Sequence, residues 1–133
     1  MLGEQIGEET GKVLVRRVIS VEGGTKVEVT VQSTGRLLGV ETRSNVTYVA
    51  GVRSDGSVYG EGHGLVIGKG GEQASFKGAG AGKLLEGGAV NYRGASYYYS
   101  DSPNFRRLNA IAVVFEYSAD AEGNTRSKAW EWK

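Results

Sequence analysis

"GEGHGLVIGKGGEQASFKGAGAG", residues 60–82, carries glycine at every second position twice over, at Gly60, Gly62 and Gly64 and again at Gly78, Gly80 and Gly82. A period of two is that of a β-strand, whose successive side chains leave opposite faces. The "GKGG" between the runs, residues 68–71, supplies the positive φ of a tight turn. The stretch therefore reads as a hairpin with one face almost bare. Each strand-interior glycine costs about 0.5–1 kcal/mol relative to alanine, so six on one face need a reason. Strand coiling is one, with an aromatic from the neighbouring strand folded over a glycine. A cavity is the other, its room made by the missing side chains. The two are compatible.

The same alternation runs through most of the chain, and helical periodicity nowhere lasts. Strands are predicted at 12–20, 26–33, 36–42, 46–53, 57–67, 74–84, 89–99, 109–118 and 125–132. Turn chemistry separates them: "EGG" at 22–24, "SDG" at 54–56, "EGG" at 86–88 and "AEGN" at 121–124. The longer break "SDSPNFR" holds the only proline, Pro103. Short turns between strands of this length imply an antiparallel meander. An open sheet would leave two unpaired edges, which a closed barrel removes. The expected fold is all-β, a single domain over residues 1–133 forming an antiparallel up-and-down β-barrel of about eight strands. A β-sandwich is the alternative.

Hairpin centres assign the faces, because cross-strand partners share one. A centre at Gly70 sets Gly64 opposite Phe76, Gly62 opposite Gly78 and Gly60 opposite Gly80. A centre at Asp55 sets Tyr48 opposite Gly62, and one at Gly87 sets Tyr92 opposite Gly82, Gly94 opposite Gly80 and Tyr98 opposite Phe76. Three independent turns thus bring the glycines to one face, with aromatic neighbours and no charge. The reverse face carries Glu61, His63, Lys77, Lys83 and Arg93, so the glycine face is placed inside. Tyr48, Gly62, Phe76, Gly80, Tyr92 and Tyr98 are the expected ligand-binding residues.

Composition narrows the function classes. The 133 residues include 22 glycines, one histidine and no cysteine, with 16 basic and 15 acidic side chains and a net charge of +1. Disulfides and thiolate chemistry are excluded, and a basic stripe for a phosphate backbone is lacking, so no nucleic-acid partner is expected. The start "MLGEQIGEET" has neither the basic nor the apolar region of a signal peptide. No apolar run reaches membrane-spanning length. A cytoplasmic protein without a membrane partner, metal or cofactor is expected. "GAGAGK" and "GLVIGKGG" lack the spacing and the following helix of a phosphate loop.

Candidate reactive groups are few. His63 stands two residues from Glu61 on one strand face, a pair able to move protons near neutral pH but placed outside by the register. Glu116 interrupts the apolar "AVVFEYS" and falls opposite Lys128 when the last turn is centred at Glu122. A cross-strand ion pair beside Trp130 and Trp132 is one reading, a buried carboxylate with a raised pKa the other. Arg17 interrupts the stripe Val13, Val15, Ile19 and Val21, and an arginine entering an apolar interior must meet an anion. Arg17 and Glu116 are accordingly the candidate catalytic residues, with Glu61 and His63 behind them. Residues 111–117 are apolar on both faces, which together with Tyr97 and Tyr99 predicts a homo-oligomer, a dimer or trimer.

The stretch "GKLLEGGAVNYRGASYYYS" resembles the paired-glycine, then Gly-Ala, strand pattern of allene oxide cyclase and dirigent-type barrels, carried by Gly87, Gly88, Gly94 and Ala95. The ending "RLNAIAVVFEYSADAEGNTRSKAWEWK" is similar to that of uncharacterised prokaryotic proteins of the same barrel type. This resemblance covers about a fifth of the chain and implies an eight-stranded, calycin-like barrel with an apolar cavity, often in a dimer or trimer. No catalytic residue of that family aligns here. The expected function is binding of an apolar or amphipathic small molecule. A cyclase or isomerase using the same cavity is the alternative, and a structural, oligomer-forming barrel without ligand is the third reading.

Overall fold

Each turn signal of the sequence separates two antiparallel strands, and the strands close on themselves. The computed structural model describes residues 1–133, with strands β1 (Leu2–Ser20), β2 (Lys26–Leu37), β3 (Val40–Val52), β4 (Ser57–Gly68), β5 (Gln73–Leu84), β6 (Val90–Tyr99), β7 (Val113–Ala119) and β8 (Asn124–Trp132). They form a closed barrel in chain order, β8 returning to pair with β1. Every backbone edge in the closed wall therefore has a neighbour. The sandwich alternative is excluded. No helix is long and apolar enough to cross a membrane.

The glycine-rich register is the expected one. Gly64 faces Phe76, Gly62 faces Gly78 and Gly60 faces Gly80 across β4 and β5. Tyr48 faces Gly62 across β3 and β4, and Gly94, Tyr92 and Tyr98 face Gly80, Gly82 and Phe76 across β5 and β6.

Three boundaries differ from expectation. The 36–42 segment is not a strand but a hairpin, turning at Leu38 (φ 50°) and Gly39 (φ 79°). Leucine is rarely left-handed, and that hid the turn. Leu38 is held by packing on the core and by its N–H, which donates to the Ile6 carbonyl at 2.7 Å. The first two residues of the 109–118 segment end a 3-10 helix, Pro103–Ala110, and β7 starts only at Val113. Finally, β1 begins at Leu2 rather than residue 12, so the glutamate-rich start is barrel wall.

The 103–110 helix closes one end of the barrel. Phe105 and Leu108 have no exposed surface and pack with Ile6, Leu37, Val66, Ala74 and Val113. Pro103 suits the first turn of this helix, where its missing N–H costs nothing. Ser100 and Asn109 tie its two ends together. The Asn109 side chain accepts from the Ser100 N–H at 2.8 Å and donates to the Ser100 carbonyl at 2.9 Å.

Candidate functional site

Above the plug the barrel is not full. A cavity of about 140 Å³ runs along the axis, lined by Val31, Val46, Phe76, Phe115 and the glycine bed, with Tyr48, Tyr92, Tyr98 and Tyr117 projecting into it. All six residues expected from the sequence, Tyr48, Gly62, Phe76, Gly80, Tyr92 and Tyr98, stand on its wall.

The glycines serve two different ends. A Cβ at Gly94 would strike the Ala79 carbonyl and one at Gly82 the Asn91 carbonyl, because the coiled strands approach too closely there. A Cβ at Gly62 would lie 2.6 Å from Tyr48 Cβ, and one at Gly64 2.5 Å from the Phe76 ring, which lies folded over it. These positions need glycine for coiling. Gly60 differs. Its Cβ would find only ordinary contacts, at 3.5 Å or more, with Val49, Tyr92 and Tyr48. Only here does the missing side chain leave usable room.

Glu9, on β1, carries the cavity's charge. By register it stands opposite Gly35 of β2 and Ser127 of β8, and it lines the cavity. Its Oε2 accepts from Ser44 Oγ at 2.6 Å and Thr42 Oγ1 at 3.2 Å. Burial raises its pKa above the ordinary 4.5, and the hydroxyls of Ser44, Thr42 and Ser33 offset this in part. Lys128 also borders the cavity, but its register against Glu116 and Glu8 puts its side chain on the outer face. No salt bridge involves Glu9.

Towards the other end, three rings form a triangle. Tyr48 meets Tyr92 and Tyr117 edge-on with centroids 6.0 and 5.7 Å away, and Tyr92 and Tyr117 are cross-strand partners 6.0 Å apart. The hydroxyls of Tyr48 and Tyr117 hydrogen-bond at 3.1 Å. Burial raises all of their pKa values, that of Tyr92 to about 12. Tyr98 is raised too, by burial and then by the negative Glu9 nearby. The hydroxyls of Tyr92 and Tyr98 have no hydrogen-bond partner in the chain, the Glu9 carboxyl has only the hydroxyls of Ser44, Thr42 and Ser33 around it, and no inaccessible polar side-chain atom lacks a partner. The two tyrosine hydroxyls therefore open onto the cavity that Glu9 also lines.

Arg17 is corrected. It points outward, where its guanidinium meets Glu28 at 3.1 Å and remains largely exposed. The cause is a β-bulge at Leu14: Val13 pairs with Val31 but Val15 with Thr30, so one extra residue reverses the faces from Val15 to Val18, where a second register shift follows. Arg16 is the residue that shares the inner face, opposite Val29, and its charge reaches Tyr48 and Tyr117 at the barrel mouth. Glu116 is likewise outside, opposite Lys128 as expected and 3.6 Å from Arg93. The buried-carboxylate reading passes from Glu116 to Glu9. Glu61 accepts from the Tyr59 hydroxyl at 3.0 Å, and His63 lies exposed between Thr47 and Lys77. None of these four approaches the cavity, and no three metal-ligating side chains converge anywhere. Sequence reasoning missed Glu9 and Tyr117. The signal for Glu9 was Gly7 and Gly11, each two residues away and therefore on the same strand face.

No family model matches the chain, and no curated protein matches it in sequence. Solved structures do match in shape. A protein of unknown function from Clostridium acetobutylicum superposes with a TM-score of 0.86 at 14% identity over the full length of both chains. A β-barrel-like protein from Acinetobacter baumannii gives 0.80 at 12% identity, over 100% of this chain and 96% of its own. A conserved protein of unknown function from Rhodopseudomonas palustris gives 0.79 at 10% identity, over 99% of each. At such identities the likeness is one of fold. It extends along the whole chain.

Proposed function

We propose that the barrel holds a small, mostly apolar molecule in its interior. The observation that carries this reading is the cavity, plugged at one end, walled by aromatic rings and furnished with polar atoms that the chain itself leaves unpartnered. Ligand sites have this composition, apolar walls with a few polar groups that fix orientation. The volume of about 140 Å³ is nearer to that of a cavity which takes up one benzene-sized ring than to a drug-sized pocket. The pattern of Gly87, Gly88, Gly94 and Ala95, similar to that of allene oxide cyclase and dirigent-type barrels, supports the same use of the interior. Exposed Tyr97 and Tyr99, and the outward row Ala95, Val114 and Trp130, support association of copies of the chain.

Native mass spectrometry of the purified protein, before and after gentle collisional activation, tests both features. A multimer that releases a small molecule is the expected result. A ligand-free species whose interior also fails to take up ring-sized probes would overturn the binding reading, and a monomer would overturn the association.

One observation favours catalysis as a second reading. A carboxyl of raised pKa beside the Tyr98 hydroxyl in an apolar cavity is suited to proton transfer. In a cofactor-independent isomerase or cyclase, Glu9 would be the catalytic residue in place of Arg17 and Glu116, the candidates expected from the sequence. Turnover lost in Glu9→Gln while binding persists would support it; unchanged turnover would remove Glu9 from that role.

A further inference from the structure

From the pairing of a cavity-lining carboxylate that has no counter-ion with an aromatic enclosure, we infer that the ligand is a small organic cation, an amine or ammonium on a ring-sized apolar body. The inference rests on the binding reading above and specifies its chemistry. Glu9 is the one ionisable acid or base whose side chain projects into the cavity, apart from the tyrosines. Its Oε2 is held by Ser44 and Thr42, so the carboxylate is fixed in orientation on the cavity wall, with neutral hydroxyls as its only partners. The chain supplies no cation to meet it: Arg16 acts on Tyr48 and Tyr117 at the mouth, and Glu9 has no basic neighbour among its influences. A buried carboxylate without a counter-ion is costly, and a bound cation removes that cost. The walls add to the preference. Phe76 and Tyr98 pack with ring centroids 5.0 Å apart and planes tilted by 35°, and the Tyr48, Tyr92 and Tyr117 triangle lies beyond, so a cation inside is met by aromatic rings as well. An anion would meet Glu9 with repulsion.

Benzylammonium, benzyl alcohol and benzoate share one ring and differ in charge, and they serve as probes. Their affinities for the wild-type protein and Glu9→Gln are measured by calorimetric titration at neutral pH. The expected result is benzylammonium binding at least roughly tenfold tighter than benzyl alcohol, with benzoate weakest. Glu9→Gln should lose the preference yet still take benzyl alcohol, which also shows that the variant folds. A control needs no variant: in the wild type, benzylammonium affinity should fall on acidification as Glu9 protonates, while benzyl alcohol affinity holds. The groups facing Glu9 are the hydroxyls of Ser33, Thr42 and Ser44 and the phenol of Tyr98, and none of these titrates in the acid range. Equal binding of benzylammonium and benzyl alcohol, a preference for benzoate, or a preference unchanged in Glu9→Gln would overturn the inference while leaving a binding barrel. Failure of all three probes would overturn both readings.

Discussion

The two ends of the barrel interior solve the same packing problem in opposite ways. At one end the 103–110 helix drives Phe105 and Leu108 between the strands, and seven buried apolar side chains fill the space. At the other, Tyr48, Tyr92 and Tyr117 lean edge to face across a gap, joined by one hydroxyl pair and overlooked by Arg16. Apolar filling without polar atoms gives stability, whereas rings that keep hydroxyls leave room and hydrogen-bonding capacity. The lesson is a division of labour along the axis, with stability at the plug and selectivity towards the mouth.

Substitutions at the two ends should differ accordingly. Phe105→Ala should cost the most, about 3–5 kcal/mol, read as a lowered urea midpoint; a loss no larger than that of a mouth tyrosine would break the comparison. Next comes Gly94→Ala, whose Cβ meets the Ala79 carbonyl and the Gly80 Cα of β5, for about 1–3 kcal/mol. Gly60→Ala is its counterpart in the roomy part of the bed. It should be neutral or stabilising by up to about 1 kcal/mol, while taking volume from the cavity and weakening ring-sized probes. Tyr48→Phe should cost about 0.5–1.5 kcal/mol through the lost bond to Tyr117.

The smallest effect is a slope. Because the folded state raises the Glu9 pKa above 4.5, it holds that proton more tightly than the unfolded chain does. The stability this gives is full below pH 4.5 and is lost as pH rises from there through the folded pKa. Urea midpoints of the ligand-free protein across that range should show the decline, and Glu9→Gln should remove its share of it.

How far the sequence disclosed all this depends on how each register is set. The β3–β6 wall was legible because its turns are spelled in Gly, Asp and Ser, and each fixes its hairpin without reference to the others. Gly62, Gly80 and the rings around them followed. The inner face of β1 was not, because the bulge at Leu14 has no turn residue to announce it, and one extra residue exchanges Arg16 for Arg17. Leu38 hid a turn for a similar reason: its left-handed backbone is held by packing against the core rather than by residue type. Glu9 escaped notice because an acidic chain start reads as solvated, and only pairing with both β2 and β8 turns it inward.

The β1–β8 seam has a kinetic meaning. Every other seam joins strands that follow one another along the chain, and all but β6–β7, which the 103–110 helix separates, can zip outward from a tight turn. Lys12 and Asn124, by contrast, pair across almost the full contour, and joining them carries a loop-closure entropy that no local contact repays in advance. Glu9 lies on this seam. A sheet with its hairpins formed and its seam open would expose Glu9 to water, so the cavity's charge is sealed in only at the step that completes the ring.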